Sequence, residues 1–299
     1  MRIIVLGSAA GGGFPQWNSA CPVGALAWQG DPAARWRTQC SLAVSGDGAR
    51  WLLLNASPDL RQQILATPAL HPRQAPRHSP IEAVVLTNGD VDHIAGLLSL
   101  RESQPLIVLA TQDIQDVLAA NPIFNVLNPD YVSRQRLLTD EPASIAGLRL
   151  WPFTVPGKVA LYLEDDNLEV GAESGVTIGL EVRDERGRGF FFVPGCAALS
   201  PGMAERLRGA DLVFFDGTLW SDDEMIRTGT GIKTGRRMGH MSMSGADGSM
   251  AAFRALGIRR RIYIHINNTN PALLETSPER AAVTAAGFEV AHDGMEIVL

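Results

Sequence analysis

Short apolar runs, most of them β-branched or aromatic, recur along the chain and stop at polar turns rich in glycine, aspartate and asparagine. Runs of this length bounded by turn residues predict buried strands, here at Arg2–Leu6, Ile81–Leu86, Leu106–Ala110, Leu148–Val155, Asp211–Phe215 and Arg261–Ile266. Gln39–Ser45 and Arg50–Asn55 alternate around Asp47-Gly48 and predict a hairpin; Gly175–Arg183 and Gly189–Val193 predict another, with Glu185-Arg186-Gly187 at its tip. Helical spacing follows Ser57-Pro58-Asp59 as far as Ala66, and Thr111 caps a second helix running to Ala120. Further helices are expected at Met243–Leu256 and Pro278–Ala286, and a last pair of strands within Phe288–Leu299. Strand content is similar in residues 1–145 and 146–299, with no linker between them. The expectation is therefore one α/β domain over 1–299, a β-sandwich with helices outside and a site along one edge.

The stretch 81–100 carries the most information. A buried strand ends at Thr87-Asn88-Gly89-Asp90, Asp92 and His93 follow, and then Ile94, Leu97, Leu98 and Leu100 resume at helical spacing with Gly96 as a close-packing point. Strand ends in α/β folds hold side chains rigidly at an open edge, so a carboxylate and an imidazole placed there are candidates for chemistry. Other predicted strands end the same way, at Cys196, Asp216 and His265. Asp92, His93 and His265, with Asp216 beside them, form a ligand set that accepts Fe(II), Zn(II) or Mn(II), and the ligands alone do not choose among these metals. His240, at the far side of a polar, Gly-rich flap over 221–239, is a candidate proton carrier or a partner that hydrogen-bonds Asp216. Asp90 is a second candidate for proton chemistry. The amide-rich turn from Asn267 to Asn270 offers Asn267 and Asn268 to a carboxylate-bearing substrate.

Composition narrows the class. The 299 residues are 45% hydrophobic, enough for a sizeable core, and the formal net charge of −6 gives no general attraction for nucleic acid. The one dense basic run, Arg259–Arg261, suits a helix C-terminus. No segment reaches the ~20 apolar residues of a membrane span, and the apolar run after Met1 is too short for a signal peptide. Three cysteines, Cys21, Cys40 and Cys196, make no disulfide framework, so a reducing, cytoplasmic setting is expected.

VVLTNGDVDH resembles the His-x-His-x-Asp-His signature of the metallo-β-lactamase superfamily. Asn88 and Asp90 stand at the two leading histidines, and Asp92 and His93 match the second-metal half. Lys158 stands where another first-metal histidine is usual, Cys196 where a metal-bridging aspartate is common, and His265 matches the final histidine. The first metal site is thus dismantled, which argues against an ordinary dinuclear zinc hydrolase. The blocks LGSAAGGGFPQWN, NASPDLR, VDHIAGLLSLRE, DGTLWSDDEM, MGHMS, HINNTNP and SPERA, in this order, are similar to the pyrroloquinoline quinone (PQQ) biosynthesis protein B family from end to end. That resemblance implies a four-layer αββα sandwich and a role in making PQQ from a Glu and a Tyr of a precursor peptide. It implies an iron-dependent hydroxylase acting on the tyrosine ring of the Glu–Tyr precursor alongside other proteins of the pathway, or alternatively a carrier that helps PQQ or its precursor reach the periplasm. Fe(II) is the favoured metal on that reading. Where the family often has a Cys-x-Cys-x-x-Cys zinc knuckle, this chain has Ser19, Cys21 and Gly24, so no structural zinc is expected.

Overall fold

The computed structural model describes all 299 residues and contains two seven-stranded sheets. The first is built from β1 (Arg2–Gly7), β2 (Ser41–Ser45), β3 (Trp51–Leu54), β4 (Ile81–Val85), β5 (Leu106–Ala110) and β6 (Val132–Arg136). The second takes β7 (Ala143–Ile145), β8 (Leu148–Gly157), β9 (Ala172–Asp184), β10 (Gly189–Val193), β11 (Leu212–Asp216), β12 (Arg260–Ile264) and β13 (Phe288–Val290). The last strand, β14 (Glu296–Val298), crosses back to pair antiparallel with β1 in the first sheet. The strands expected within Phe288–Leu299 are therefore present but do not pair with each other: β13 adds parallel to β12, and the turn after it carries the chain to the other sheet.

Alternation along the strands produces the layers. Ile3, Val5, Leu42, Val44, Leu52 and Leu54 face Leu180, Val182, Phe190, Phe192, Phe214 and Ile262 in a core between the sheets. The intervening residues point outward. On the first sheet Ile4, Ala43, Leu53, Val84 and Val108 meet Leu60 of α2 (Leu60–Ala66) and Ile114 and Leu118 of α4 (Gln112–Ala120). On the second, Phe191, Val213, Phe215 and Tyr263 are covered by α1 (Pro22–Trp28), α5 (Pro201–Leu207) and α8 (Pro278–Ala285). Helix, sheet, sheet, helix is the order, the expected αββα sandwich.

Strands β3 to β6 run parallel, as do β10 to β13. Their carboxyl ends meet at one edge, where the loop after β4 touches β9 through an Asn88–Thr177 bridge and Ala9 bridges Ile266. Between them come α3 (Val91–Ile94), α6 (Glu224–Arg227) and α7 (Ser249–Ala252). The helix expected at Met243–Leu256 is only α7 plus a 3₁₀ turn at Phe253–Ala255. Gly245 sits at φ 87° and Gly248 lies against the Ser244 carbonyl, so the chain turns there and cannot coil. The helical spacing after His93 is likewise one α-turn followed by 3₁₀ structure, because Gly96 packs directly on the Ala56–Ser57 backbone.

A candidate metal centre at the edge of the sandwich

Two strands and one turn bring the ligands together. Beyond β4, Thr87 is locked by Asn55: its N–H and the Asn55 carboxamide oxygen are 2.9 Å apart, and the Asn55 amide donates to its hydroxyl at 2.9 Å. Asn55 does this from a left-handed backbone, φ 64°, which asparagine tolerates better than most residues. The Ala56 N–H then donates to the His93 carbonyl at 2.7 Å, and the Gly96 N–H to the Ala56 carbonyl at 2.9 Å. These bonds fix α3 and aim His93 inward. From the other sheet, His265 follows β12 with φ 59°. A bulky residue in that region carries strain and persists only where its surroundings over-determine it. Here the next residue, Ile266, donates to the Ser8 carbonyl at 3.0 Å and accepts from the Ala10 N–H at 2.9 Å.

Asp92, His93 and His265 each offer one ligand atom, all within 4.8 Å of one another. Asp92 Oδ2 is 3.0 Å from His265 Nε2 and 3.8 Å from His93 Nε2. The two imidazoles meet edge to face at 76°. His93 Nε2 is buried and has no hydrogen-bond partner, an arrangement that costs free energy unless something else satisfies the nitrogen. Burial pushes the His93 pKa down to about 4, so the ring is neutral and ready to ligate. Burial opposes the charge on Asp92 as well, yet the neighbouring imidazoles override it and hold the carboxyl well below its usual range. An orphaned nitrogen, a second imidazole and an ionised carboxylate facing one point fit a divalent cation.

Asp216 belongs to a different cluster. Its Oδ2 accepts from the Cys196 N–H at 2.9 Å and from His240 Nδ1 at 2.7 Å, while Oδ1 accepts from the Thr218 N–H at 3.0 Å and the Thr218 hydroxyl at 2.6 Å. Both oxygens thus accept hydrogen bonds, and Asp216, His240 and His265 also lie close enough to one another to hold an ion. His240 thus makes the hydrogen bond to Asp216 expected of it. Thr218, unremarked in the sequence, is the hub: its hydroxyl is 2.8 Å from His265 Nδ1 and 3.1 Å from His240 Nδ1. With Thr218 donating to Asp216, its oxygen accepts from His265 Nδ1, which leaves His265 Nε2 for a metal.

The centre opens into a cavity of about 450 Å³. Asp90 and Asn267 stand on its wall, as do Asn88 and Lys158. Asp90 Oδ1 accepts from the Leu161 N–H at 2.9 Å, and burial together with the charge of Asp92 raises its pKa. Asn268 does not line the cavity. It is turned away, its amide donating to Gln16 at 2.7 Å and its carbonyl lying 3.4 Å from Cys21 Sγ, so the pairing of Asn267 with Asn268 as substrate contacts is corrected to Asn267 alone on the wall. Cys196 is fully buried with Sγ against the Ala198 carbonyl, and burial raises its thiol. From the flap, Met225, Ile232, Lys233 and Met238 complete the wall.

Residues 50–266 match the β-lactamase superfamily domain, so the fold is that of a metallo-β-lactamase-type protein. More specific relatives run the full length. Coenzyme PQQ synthesis protein B of Xanthomonas oryzae pv. oryzae (strain MAFF 311018) is 56% identical over 300 residues, covering 100% of both chains, and that of Methylobacterium nodulans is likewise 56% identical over the whole of each. The crystal structure of Zn(2+)-bound PqqB from Methylobacterium extorquens superposes with a TM-score of 0.98 at 53% identity, covering 100% of both chains. A diphosphatase of the PhnP family shares the fold, with a TM-score of 0.70 at 20% identity over 100% of this chain and 97% of its own. The chain belongs to the coenzyme PQQ synthesis protein B family.

Proposed function

We propose that this protein acts in PQQ synthesis as a metal-dependent hydroxylase of the tyrosine ring of the Glu–Tyr precursor, with Fe(II) held by Asp92, His93 and His265. The observation that carries this reading is the group of Asp92, His93 and His265, two imidazoles and one carboxylate within 4.8 Å of one another beside the cavity, and a set of that composition is the one used by non-haem Fe(II) oxygenases. Asp216, His240 and His265 form a second group of the same composition that shares His265. When bound, the iron supplies one-electron and dioxygen chemistry that no side chain here possesses. The net change is aryl C–H plus O₂, two electrons and two protons giving aryl C–OH plus water, so a two-electron reductant from outside the chain takes part.

The chain's own residues position and protonate. Thr218 and Asp216 hold His265 in the tautomer that leaves Nε2 for the metal. With Nδ1 committed to Asp216, His240 has Nε2 as its acceptor and takes a proton from the substrate ring at the cavity wall. Asp90, on the wall of the same cavity with its pKa raised by burial and the charge of Asp92, is a second group for proton transfer. Asn267 offers its carboxamide to the substrate, while Met225, Ile232 and Met238 of the flap shield the ring from water. His93→Ala and His265→Ala are each expected to lose bound iron and turnover together, measured by metal analysis and by product mass. Retained iron-dependent turnover in both variants removes the ligand assignment. Variants that lose metal yet still bind PQQ and support its export favour the carrier reading.

A further inference from the structure

At the mouth of the cavity three cations share one carboxylate. Lys158 Nζ is 3.0 Å from Glu164 Oε1, Lys233 Nζ is 2.7 Å from Oε2 and Arg237 reaches the same oxygen at 3.1 Å. None of the three cations has another ion pair within 4.0 Å, so the cluster by itself sets three positive charges against one carboxylate, with Asp90 of the same cavity also feeling the charge of Lys158. Lys158 and Glu164 are nearly buried, with 9% and 10% of their side chains exposed. Burial works against the charge on Glu164, yet the hydrogen bond from Lys233 and the charge of Lys158 hold its pKa down at about 2. The two sides of the cluster come from different segments. Glu164 follows a rim segment tied to the metal-bearing turn, where the Leu161 N–H donates to Asp90 and the Tyr162 hydroxyl donates to the Gly89 carbonyl at 2.8 Å. Lys233 and Arg237 come from the flap opposite.

We infer that Lys158, Lys233 and Arg237 form a carboxylate-binding subsite in which Glu164 stands in for a carboxylate of the substrate. Two donors on one carboxylate oxygen, Lys233 and Arg237, with the Lys158 ammonium 3.0 Å from the other, are already arranged for another carboxylate of the same geometry, and a surplus of positive charge favours a ligand that brings more than one. Lys158 and Lys233 line the same cavity as Asp92 and His265, so a molecule with acidic groups at one end and an aromatic ring at the other lies with the ring toward the metal. The substrate class is therefore an aromatic compound bearing at least two carboxylates. This rests on the hydroxylase reading only in identifying the acidic end with the Glu-derived part of the precursor. When a substrate carboxylate enters, the Glu164 side chain swings out to solvent and the flap stays closed on the ligand instead.

The test uses the Zn(II)-loaded protein, which binds without oxidising, and two probes: PQQ, a tricarboxylate, and its uncharged trimethyl ester. The ester is expected to bind at least about tenfold more weakly than the acid, and Lys233→Met and Arg237→Met are each expected to weaken PQQ binding about tenfold, with zinc content unchanged. Glu164→Gln is the discriminating variant. It removes the competing charge and is expected to tighten PQQ binding several-fold. Glu164→Gln weakening PQQ as much as the cation variants do means that Glu164 is only a latch for the flap, and equal binding of acid and ester means that there is no carboxylate subsite; either result overturns the inference. Turnover is read separately with the iron form. Charge-dependent binding without hydroxylation leaves the subsite standing and removes the hydroxylase, whereas hydroxylation with an unchanged KM in Lys233→Met removes the subsite alone.

Discussion

Replacing Thr218 by valine removes one buried hydroxyl and almost no volume, and it isolates what holds His265 in place. In the parent the hydroxyl oxygen is 2.8 Å from His265 Nδ1 and its proton lies toward Asp216 Oδ1 at 2.6 Å. Asp216 would keep three other donors, the Cys196 and Thr218 N–H groups and His240. His265 Nδ1, inside a ring only 6% exposed, would keep none. Stranding that N–H costs about 1–3 kcal/mol, and with the lost bond to an ionised carboxylate the total is about 3–6 kcal/mol. In a chain of this size that lowers Tm by about 5–12 °C. Because the same bond orients a metal ligand, metal affinity should fall about 10–100-fold. Competition for Zn(II) against a chelator measures the affinity, and thermal unfolding of the metal-free protein measures the stability term separately. Thr218→Ser keeps the hydroxyl and should restore both. Thr218→Val binding zinc as tightly as the parent would refute the relay from Asp216 through Thr218 to His265.

Two further perturbations probe the frame around the site. Glu224 is buried, accepting from Thr269 Oγ1 at 2.6 Å and from the Trp220 N–H at 2.7 Å, and burial raises its pKa to about 7. The folded chain therefore binds this proton more tightly than the unfolded one. Stability from the protonated form is full at acid pH and is lost as pH rises from the ordinary carboxylate range through 7, by at most about 3 kcal/mol. Glu224→Gln should gain on the parent by that amount between pH 4 and 8 in urea midpoints, and a gap that does not change with pH would contradict the assignment. Gly96→Ala places a methyl against the Ser57 carbonyl oxygen and the Ala56 backbone. It should cost about 2–3 kcal/mol through overpacking and loosen the hydrogen bond that fixes α3, lowering both Tm and metal content; a neutral effect would show that α3 does not need that contact.

The β4 turn was readable because two independent signals coincide there: an uninterrupted β-branched run and, directly after it, two residues that ligate metals. His265 and Asp216 were readable as polar residues closing buried strands, and the alternation along β1, β2 and β3 was enough for a sandwich. Thr218 was not, since a threonine in Asp-Gly-Thr looks like any turn residue until the fold sets His265 beside it from 47 positions away. The cluster of Lys158, Glu164 and Lys233 is hidden for the same reason: Lys233 meets a carboxylate 69 residues distant. Strand β6, with the sequence VSRQR and only Val132 buried, has no apolar alternation to mark it, and α1 is only seven residues, about two turns, held by a Cys21 cap and packing on the second sheet. Asn267 and Asn268 look equivalent in sequence, but successive residues of a tight turn face different ways, and only the first reaches the cavity.

The most direct measurement of the central claim is isotope tracing with anaerobically purified, Fe(II)-loaded protein, the Glu–Tyr precursor, a reductant and ¹⁸O₂. The account predicts one ¹⁸O atom in the ring-hydroxylated product, with matching oxygen uptake, and neither in His265→Ala. Product whose new oxygen comes from water, or that forms without oxygen, would contradict it and return the site to the hydrolytic chemistry of its superfamily.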